Sequence, residues 1–232
     1  MNSNRKLVTL NPNIVRVSRQ YGEAIVKWYA SPEGAVSASR SRSGDWGAEL
    51  DPVLQGQGKA GEYAVAQYYG LDPKTAVNRS FGKADDGIDV TITATVAVDA
   101  KTTPDWKRWM IWSESVNDLY WSKKFTTLVS VSLDEDDWSQ CWIEGWISKQ
   151  DFFDRKMIAD GVNDQGKLTR GTWFMRKVDL EPIDTLLAGY IGLDAGGRFV
   201  HYCRCGQFAP YGFGYFPKEG ELGKWFCREH KP

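Results

Sequence analysis

Asp99-Ala100-Lys101 closes an apolar, alternating run that begins at Ile88. In an extended strand, residues i and i+2 share a face, so the Asp99 carboxylate and the Lys101 ammonium project side by side. Asp89 stands ten positions before Asp99, at the start of the same run, and a hairpin can bring the two carboxylates together. Glu62 lies in the preceding helix-patterned segment and can lean over the same sheet edge. Carboxylates grouped in this way can hold one or two divalent cations, which stabilise charge on a phosphate and acidify a bound water. A lysine beside them can orient or help deprotonate that water and stabilise the developing negative charge. Magnesium suits few carboxylates supplemented by waters and substrate oxygens. Phosphodiester hydrolysis needs this combination. Asp85 and Asp86 also precede Asp89 and compete for its role, although Asp86-Gly87 is itself a good turn dipeptide.

A second cluster lies near the C-terminus. Cys203-Arg204-Cys205 is followed, after 21 intervening residues, by Cys227-Arg228-Glu229-His230. Three thiolates and one imidazole make a tetrahedral structural zinc set, with His201 as a spare ligand. A segment of this size buries little core, so a metal staple has a physical purpose. The aromatic run Tyr211 to Phe216 supplies a small cover. Cys141, alone in an apolar strand, reads as a buried small hydrophobe.

These groups need elements to position them. Gly58 to Gly70 reads as one helix, buried on more than one side and ended by Gly70 ahead of Leu71-Asp72-Pro73. The alternation from Ile88 to Lys101 predicts two strands with a tight turn near Ala94-Thr95. Trp106 to Trp121 is predicted helical, with Trp106, Trp109 and Trp112 at helical spacing and therefore in the core. Phe125 to Leu133 and Gln140 to Ile147 read as strands joined by a solvated acidic loop at 134–137, and Ser148 to Asp160 starts a short helix. Ahead of all this, Ile14 to Val17 and Glu23 to Tyr29 flank Gln20-Tyr21-Gly22, which predicts a hairpin. The expected architecture is an α/β domain with a mixed β-sheet flanked by helices. It divides into a small β-rich N-terminal segment (1–50), a core (51–195) and a small zinc-stapled module (196–232).

Composition is that of a globular chain: 232 residues, 42% hydrophobic and 25% charged. No stretch approaches the roughly 20 apolar residues that span a bilayer, and residues 1–6 lack the apolar run of a signal peptide. The expectation is an intracellular, cytoplasmic protein with no membrane partner. The net charge of −1 conceals an asymmetry, +3 over residues 1–50, −7 over 51–195 and +3 over 196–232. Arg40 and Arg42 in the first segment and Arg204 and Arg228 in the last are candidate phosphate contacts framing an acidic, metal-binding middle.

Gly61-Glu62, Gly87-Ile88-Asp89-Val90 and Val98-Asp99-Ala100-Lys101-Thr102-Thr103 together resemble the PD-(D/E)xK nuclease superfamily, over roughly residues 58–155. Glu144-Gly145-Trp146-Ile147 is compatible with the same core. The resemblance implies a restriction-endonuclease-like fold and a metal-dependent DNA endonuclease. It makes Asp89 and Asp99 ligands of Mg2+ or Mn2+, Glu62 an auxiliary ligand acting through water, the Ala100 carbonyl a further ligand, and Lys101 the catalytic lysine. Double-stranded DNA is the expected substrate, in a prokaryotic or phage-infected cell, and a homodimer is one assembly it allows. RNA or branched DNA as substrate, and a catalytically silent nucleic-acid-binding adaptor on the same fold, are the alternatives.

Overall fold

The computed structural model describes residues 5–32, 34, 51–78, 87–93, 96–112, 117–162, 168–187, 191–193, 199–201, 209–216, 221–229 and 231. In chain order the elements begin with β1 (Lys6–Thr9), α1 (Pro12–Tyr29), α2 (Pro52–Tyr68), α3 (Pro73–Ala76), β2 (Val90–Thr91), β3 (Ala97–Pro104) and β4 (Trp109–Trp112). They continue with α4 (Asn117–Ser122), β5 (Thr127–Leu133), β6 (Gln140–Ser148), α5 (Lys149–Arg155), β7 (Met157–Val162) and β8 (Leu168–Arg176). Two 3-10 turns (Lys177–Asp179 and Ile183–Thr185) lead to β9 (Ile191–Leu193), β10 (Phe199–His201), β11 (Tyr211–Phe216) and β12 (Glu221–Phe226).

The central sheet has the order β1-β6-β5-β3-β2 and is mixed. β2 and β3 pair antiparallel, β3 and β5 run parallel, and β6 is antiparallel to both β5 and β1. β5 is buried along its whole length, serines included, which fits a central strand covered on both faces. One face packs on α2, whose run from Lys59 to Ala66 is entirely buried. Small residues make that possible: a Cβ on Gly61 would lie 2.0 Å from Thr102 Oγ1, so glycine lets the helix settle directly on β3. Asp51 caps α2 by accepting the Val53 amide at 2.8 Å, and Pro52 occupies the first turn. A second apolar cluster, with Tyr120, Phe125, Leu128, Ile147, Phe152, Trp173 and Met175, joins β5 and β6 to the three-stranded sheet β4-β8-β7.

The mixed sheet with flanking helices agrees with the expected α/β class, and the two strands of the 88–101 run, the strands before and after the acidic loop, and the helix opening at Lys149 all form. Two expectations are corrected. The N-terminal hairpin is a single helix, α1. Asn11 accepts the Ile14 amide at 3.0 Å and Pro12 sits in the first turn, a strong helix start. Gly22, which reads as a turn residue in sequence, is a helix-crossing residue, since a Cβ there would lie 2.0 Å from the Pro52 carbonyl oxygen. Among the described residues, the β-rich preface thus holds one short strand and a helix: β1 joins the central sheet through β6 and α1 packs on α2.

The predicted helix from Trp106 to Trp121 is also corrected. Residues 109–112 form β4, which pairs with β8, and among the described residues of this stretch only Asn117–Ser122 is helical. Tryptophan and isoleucine favour a pleated surface, and the partner strand some sixty residues later decides the outcome. Trp106 is 69% exposed and Trp109 38%, so neither belongs to the core. Met110 and Tyr120 occupy it instead. Cys141 is fully buried, as expected. Cys203, Cys205 and His230, together with Asp85, Asp86, Arg40, Arg42 and Arg204, lie outside the described residues. Cys227 is buried just after β12, and the run Tyr211–Phe216 forms a hairpin with that strand. Among the described residues no helix is long and apolar enough to cross a membrane.

Candidate metal and phosphate site

The β2–β3 hairpin brings Asp89 beside Asp99 and Lys101. The Asp89 amide donates to the Val98 carbonyl at 2.8 Å, and its own carbonyl accepts the Asn78 amide at 2.9 Å. Its Oδ2 accepts the Ala100 amide at 2.8 Å, so backbone and side chain are both fixed against β3. Asp99 is buried, and Lys101 Nζ lies 2.7 Å from Asp99 Oδ1. The Lys101 side chain keeps 28% of its surface in solvent, which makes it the accessible edge of the group.

Glu62 is buried on α2, directly after the glycine that packs on Thr102. Its partner was not singled out in sequence. Lys59 Nζ, one helical turn earlier, lies 2.5 Å from Glu62 Oε2 and donates to the Asn78 carbonyl at 2.6 Å. Its ammonium also sits 4.3 Å from the Tyr21 ring centre on α1. The signal was an i, i+3 Lys–Glu pair that holds the only charges of the helix Pro52–Tyr68, amid glycines and alanines.

The three carboxylates act on one another. Burial raises the Asp89 carboxyl well above its ordinary value; Glu62 and Asp99 push it further up, while Lys101 and the Ala100 amide pull it down. A desolvated acid flanked by two others is a place where a cation relieves repulsion. In charge and ligand type, the donor set fits a divalent ion with oxygen ligands. Each carboxylate has a partner within the chain: Lys59 for Glu62, the Ala100 amide for Asp89, Lys101 for Asp99. Among the described residues no three His, Cys, Asp or Glu side chains are drawn into a closed metal-binding cluster.

The Asp99 charge reaches two more groups. The Lys149 ammonium is pulled down by burial, and Asp99 partly offsets this. The Tyr120 phenol is pushed up, by burial first and then by Asp99, and its hydroxyl donates to the Lys149 carbonyl at 2.6 Å. Farther along the sheet is a buried polar network. Lys177 Nζ donates to Ser132 Oγ at 2.5 Å, and Ser132 Oγ donates to Glu144 Oε1 at 2.7 Å. Burial pulls the Lys177 ammonium down, against the attraction of Glu144 and Asp105. The three side chains of this network are buried, and they tie the 3-10 turn after β8 to the sheet.

Comparison with protein-family models, curated proteins and solved structures finds no match for this chain.

Proposed function

We propose that the chain is a divalent-metal-dependent DNA endonuclease on a restriction-endonuclease-like core, with a C-terminal zinc module that aids substrate or partner binding. The observation that carries this reading is the convergence of Asp89, Asp99 and Lys101 on one hairpin, with helix-borne Glu62 close enough to raise the Asp89 carboxyl. The order of helix, antiparallel pair and parallel third strand also supports it.

In this reading Asp89 and Asp99 hold Mg2+ or Mn2+, Glu62 contributes through water, and the Ala100 carbonyl is a further ligand. A cation held there would supply charge neutralisation at the phosphate and lower the pKa of a water. Lys101 is held beside Asp99 at the solvent edge, where its ammonium can orient the attacking water and stabilise negative charge on the phosphate. The Ala100 amide fixes Asp89, and the Lys59 ammonium fixes Glu62. Cys203, Cys205, Cys227 and His230 form the zinc set of the C-terminal module.

The test is incubation of the purified chain with plasmid, linear duplex, single-stranded and branched DNA and with RNA, in magnesium, manganese or chelator. Metal-dependent cleavage of duplex DNA, abolished by Asp99→Ala, is expected. Cleavage confined to RNA or to branched DNA would move the substrate. No cleavage of any substrate would overturn the enzymatic reading, and cleavage indifferent to Asp99→Ala would remove this site from it.

A further inference from the structure

The last turn of α4 and its connection to β5 carry Trp121, Lys123 and Lys124, none of them used in the site above. Trp121 is 43% exposed, Lys124 is exposed and Lys123 is half-buried. The segment is nonetheless fastened. Lys149 Nζ donates to the carbonyls of Trp121 and Lys123, and it stands 4.6 Å from the Phe125 ring centre and 5.4 Å from those of Tyr120 and Trp121. Tyr120 and Phe125 are buried, and the Trp121 ring rests at 5.0 Å on Phe153. The solvent-facing Trp121 indole thus stands on a fixed base, and the backbone that carries Lys123 beside it is held by Lys149.

The segment also adjoins the carboxylate site on two sides. Lys123 packs so closely on Gly87, two residues before Asp89, that a Cβ there would come within 2.8 Å of the Lys123 Cβ. The Thr126 amide donates to the Ala97 carbonyl at 2.8 Å, two residues before Asp99, and the Asp99 charge reaches Lys149.

We infer that Trp121, Lys123 and Lys124 form a lip that grips an unpaired stretch of polynucleotide flanking the bond to be cut. The inference rests on the nuclease reading of the adjoining site and names the form of its substrate. Three carboxylates repel a phosphodiester chain, so a substrate held there needs cations close by, and Lys123 and Lys124 supply them at the rim. An exposed indole on a rigid base offers a face for a base to stack on. Bases within a duplex are already stacked on one another, so the indole favours nucleotides that are unpaired. The favoured substrate is a duplex with a single-stranded flank.

The test uses the full-length chain in calcium, so that binding is read without turnover. Fluorescence anisotropy is measured across a salt series with blunt duplex, single-stranded, and single-strand-flanked duplex oligonucleotides. The unmodified protein is expected to prefer the flanked duplex to the blunt one by about tenfold, the scale of one stacked base. Trp121→Ala should erase that preference and Trp121→Phe should keep most of it. Lys123→Ala/Lys124→Ala should lower the slope of log affinity against log salt by about 1.4, at roughly 0.7 per single-strand phosphate contact. If Trp121→Ala does not fold, the phenylalanine variant and the lysine pair decide the matter. Folded lysine variants with an unchanged slope, or no preference for the flank, would overturn the lip. Cleavage that survives such a result leaves the nuclease standing without it. Binding with the expected changes but no cleavage leaves the lip and removes the nuclease.

Discussion

Lys59 Nζ and Glu62 Oε2 lie 2.5 Å apart in the middle of a helix packed on both sides, and both side chains are buried. The same ammonium binds the Asn78 carbonyl, and the Asn78 amide binds the Asp89 carbonyl. One lysine therefore links the helix-borne carboxylate to the strand-borne one. Charge is tolerated there because each ion has a close, oriented counterpart, which is the condition for a buried pair to persist.

Removing one partner should be costly. Lys59→Met leaves the Glu62 carboxylate in an apolar setting without its counter-ion, and a loss of about 3–5 kcal/mol is expected for breaking such a pair. The double variant Lys59→Met/Glu62→Leu, which removes both charges at similar volume, should recover most of that loss. Urea unfolding of the three proteins checks this. A single variant as stable as the unmodified chain would mean that the pair contributes no more than a surface contact.

The Asp89 carboxyl gives a pH dependence whose sign is fixed by its environment. Its value in the fold is raised above the 3.8 of a free side chain, chiefly by burial and then by Glu62 and Asp99. The folded state therefore holds the Asp89 proton more tightly than the unfolded state does. The stabilisation from this group is fully present below pH 3.8 and is lost as pH rises through the raised value. Asp89→Asn mimics the protonated form and can still accept the Ala100 amide. In chelator it should be more stable than the unmodified protein at neutral pH, by about 1.4 kcal/mol for each tenfold difference in proton affinity between the folded and unfolded chain. The difference should close toward acid. Added manganese should raise the melting temperature of the unmodified protein and not that of Asp89→Asn. Thermal melts across pH would refute this if the variant proved less stable at neutral pH.

The hairpin that carries the site was legible because alternation from Ile88 to Lys101 is a local signal; parity puts Asp99 and Lys101 on one face, whereas Asp89 also needed the hairpin and the Asp86-Gly87 turn signal that set Asp85 and Asp86 aside. Glu62 was legible as a position on a helix, but its lysine was not, because the value of an i, i+3 pair depends on burial that only the packed sheet supplies. Gly22 misled for a similar reason. A glycine in sequence signals a turn, whereas here it permits two helix backbones to touch. The Trp106 to Trp112 spacing matched a helix because three-residue repeats also arise by chance in aromatic strands. What made it a strand was pairing with β8, which no local window contains.

The cysteine cluster leads to a metal stoichiometry. Cys227 is buried immediately after β12, in a hairpin that the apolar surface of a short module would hold only weakly. A closed set of Cys203, Cys205, Cys227 and His230 should retain about one zinc per chain after desalting, separate from any weakly held magnesium. Cys227→Ser should lose that zinc and expose the module to proteolysis. Protein purified reduced and without chelator that contains no zinc would reject the assignment.

Asp99 and Lys101 occupy neighbouring positions on one strand face, 2.7 Å apart, yet their removal should have different consequences. Asp99 is proposed as a metal ligand, so Asp99→Ala should abolish divalent-ion affinity and cleavage together. It also removes the Asp99 charge that faces the Lys101 ammonium, which adds repulsion toward any cation. Lys101→Ala removes positive charge beside the carboxylates, so manganese binding should persist or tighten while cleavage falls by about 100-fold or more, the scale of a lost acid–base or electrostatic group. Manganese titration calorimetry on both folded variants, run beside the cleavage assay, separates the roles. Normal metal binding by Asp99→Ala would move the ligand set elsewhere, with Asp85 and Asp86 the first positions to examine. Full cleavage by Lys101→Ala would show that the lysine serves only to neutralise Asp99 in the folded chain.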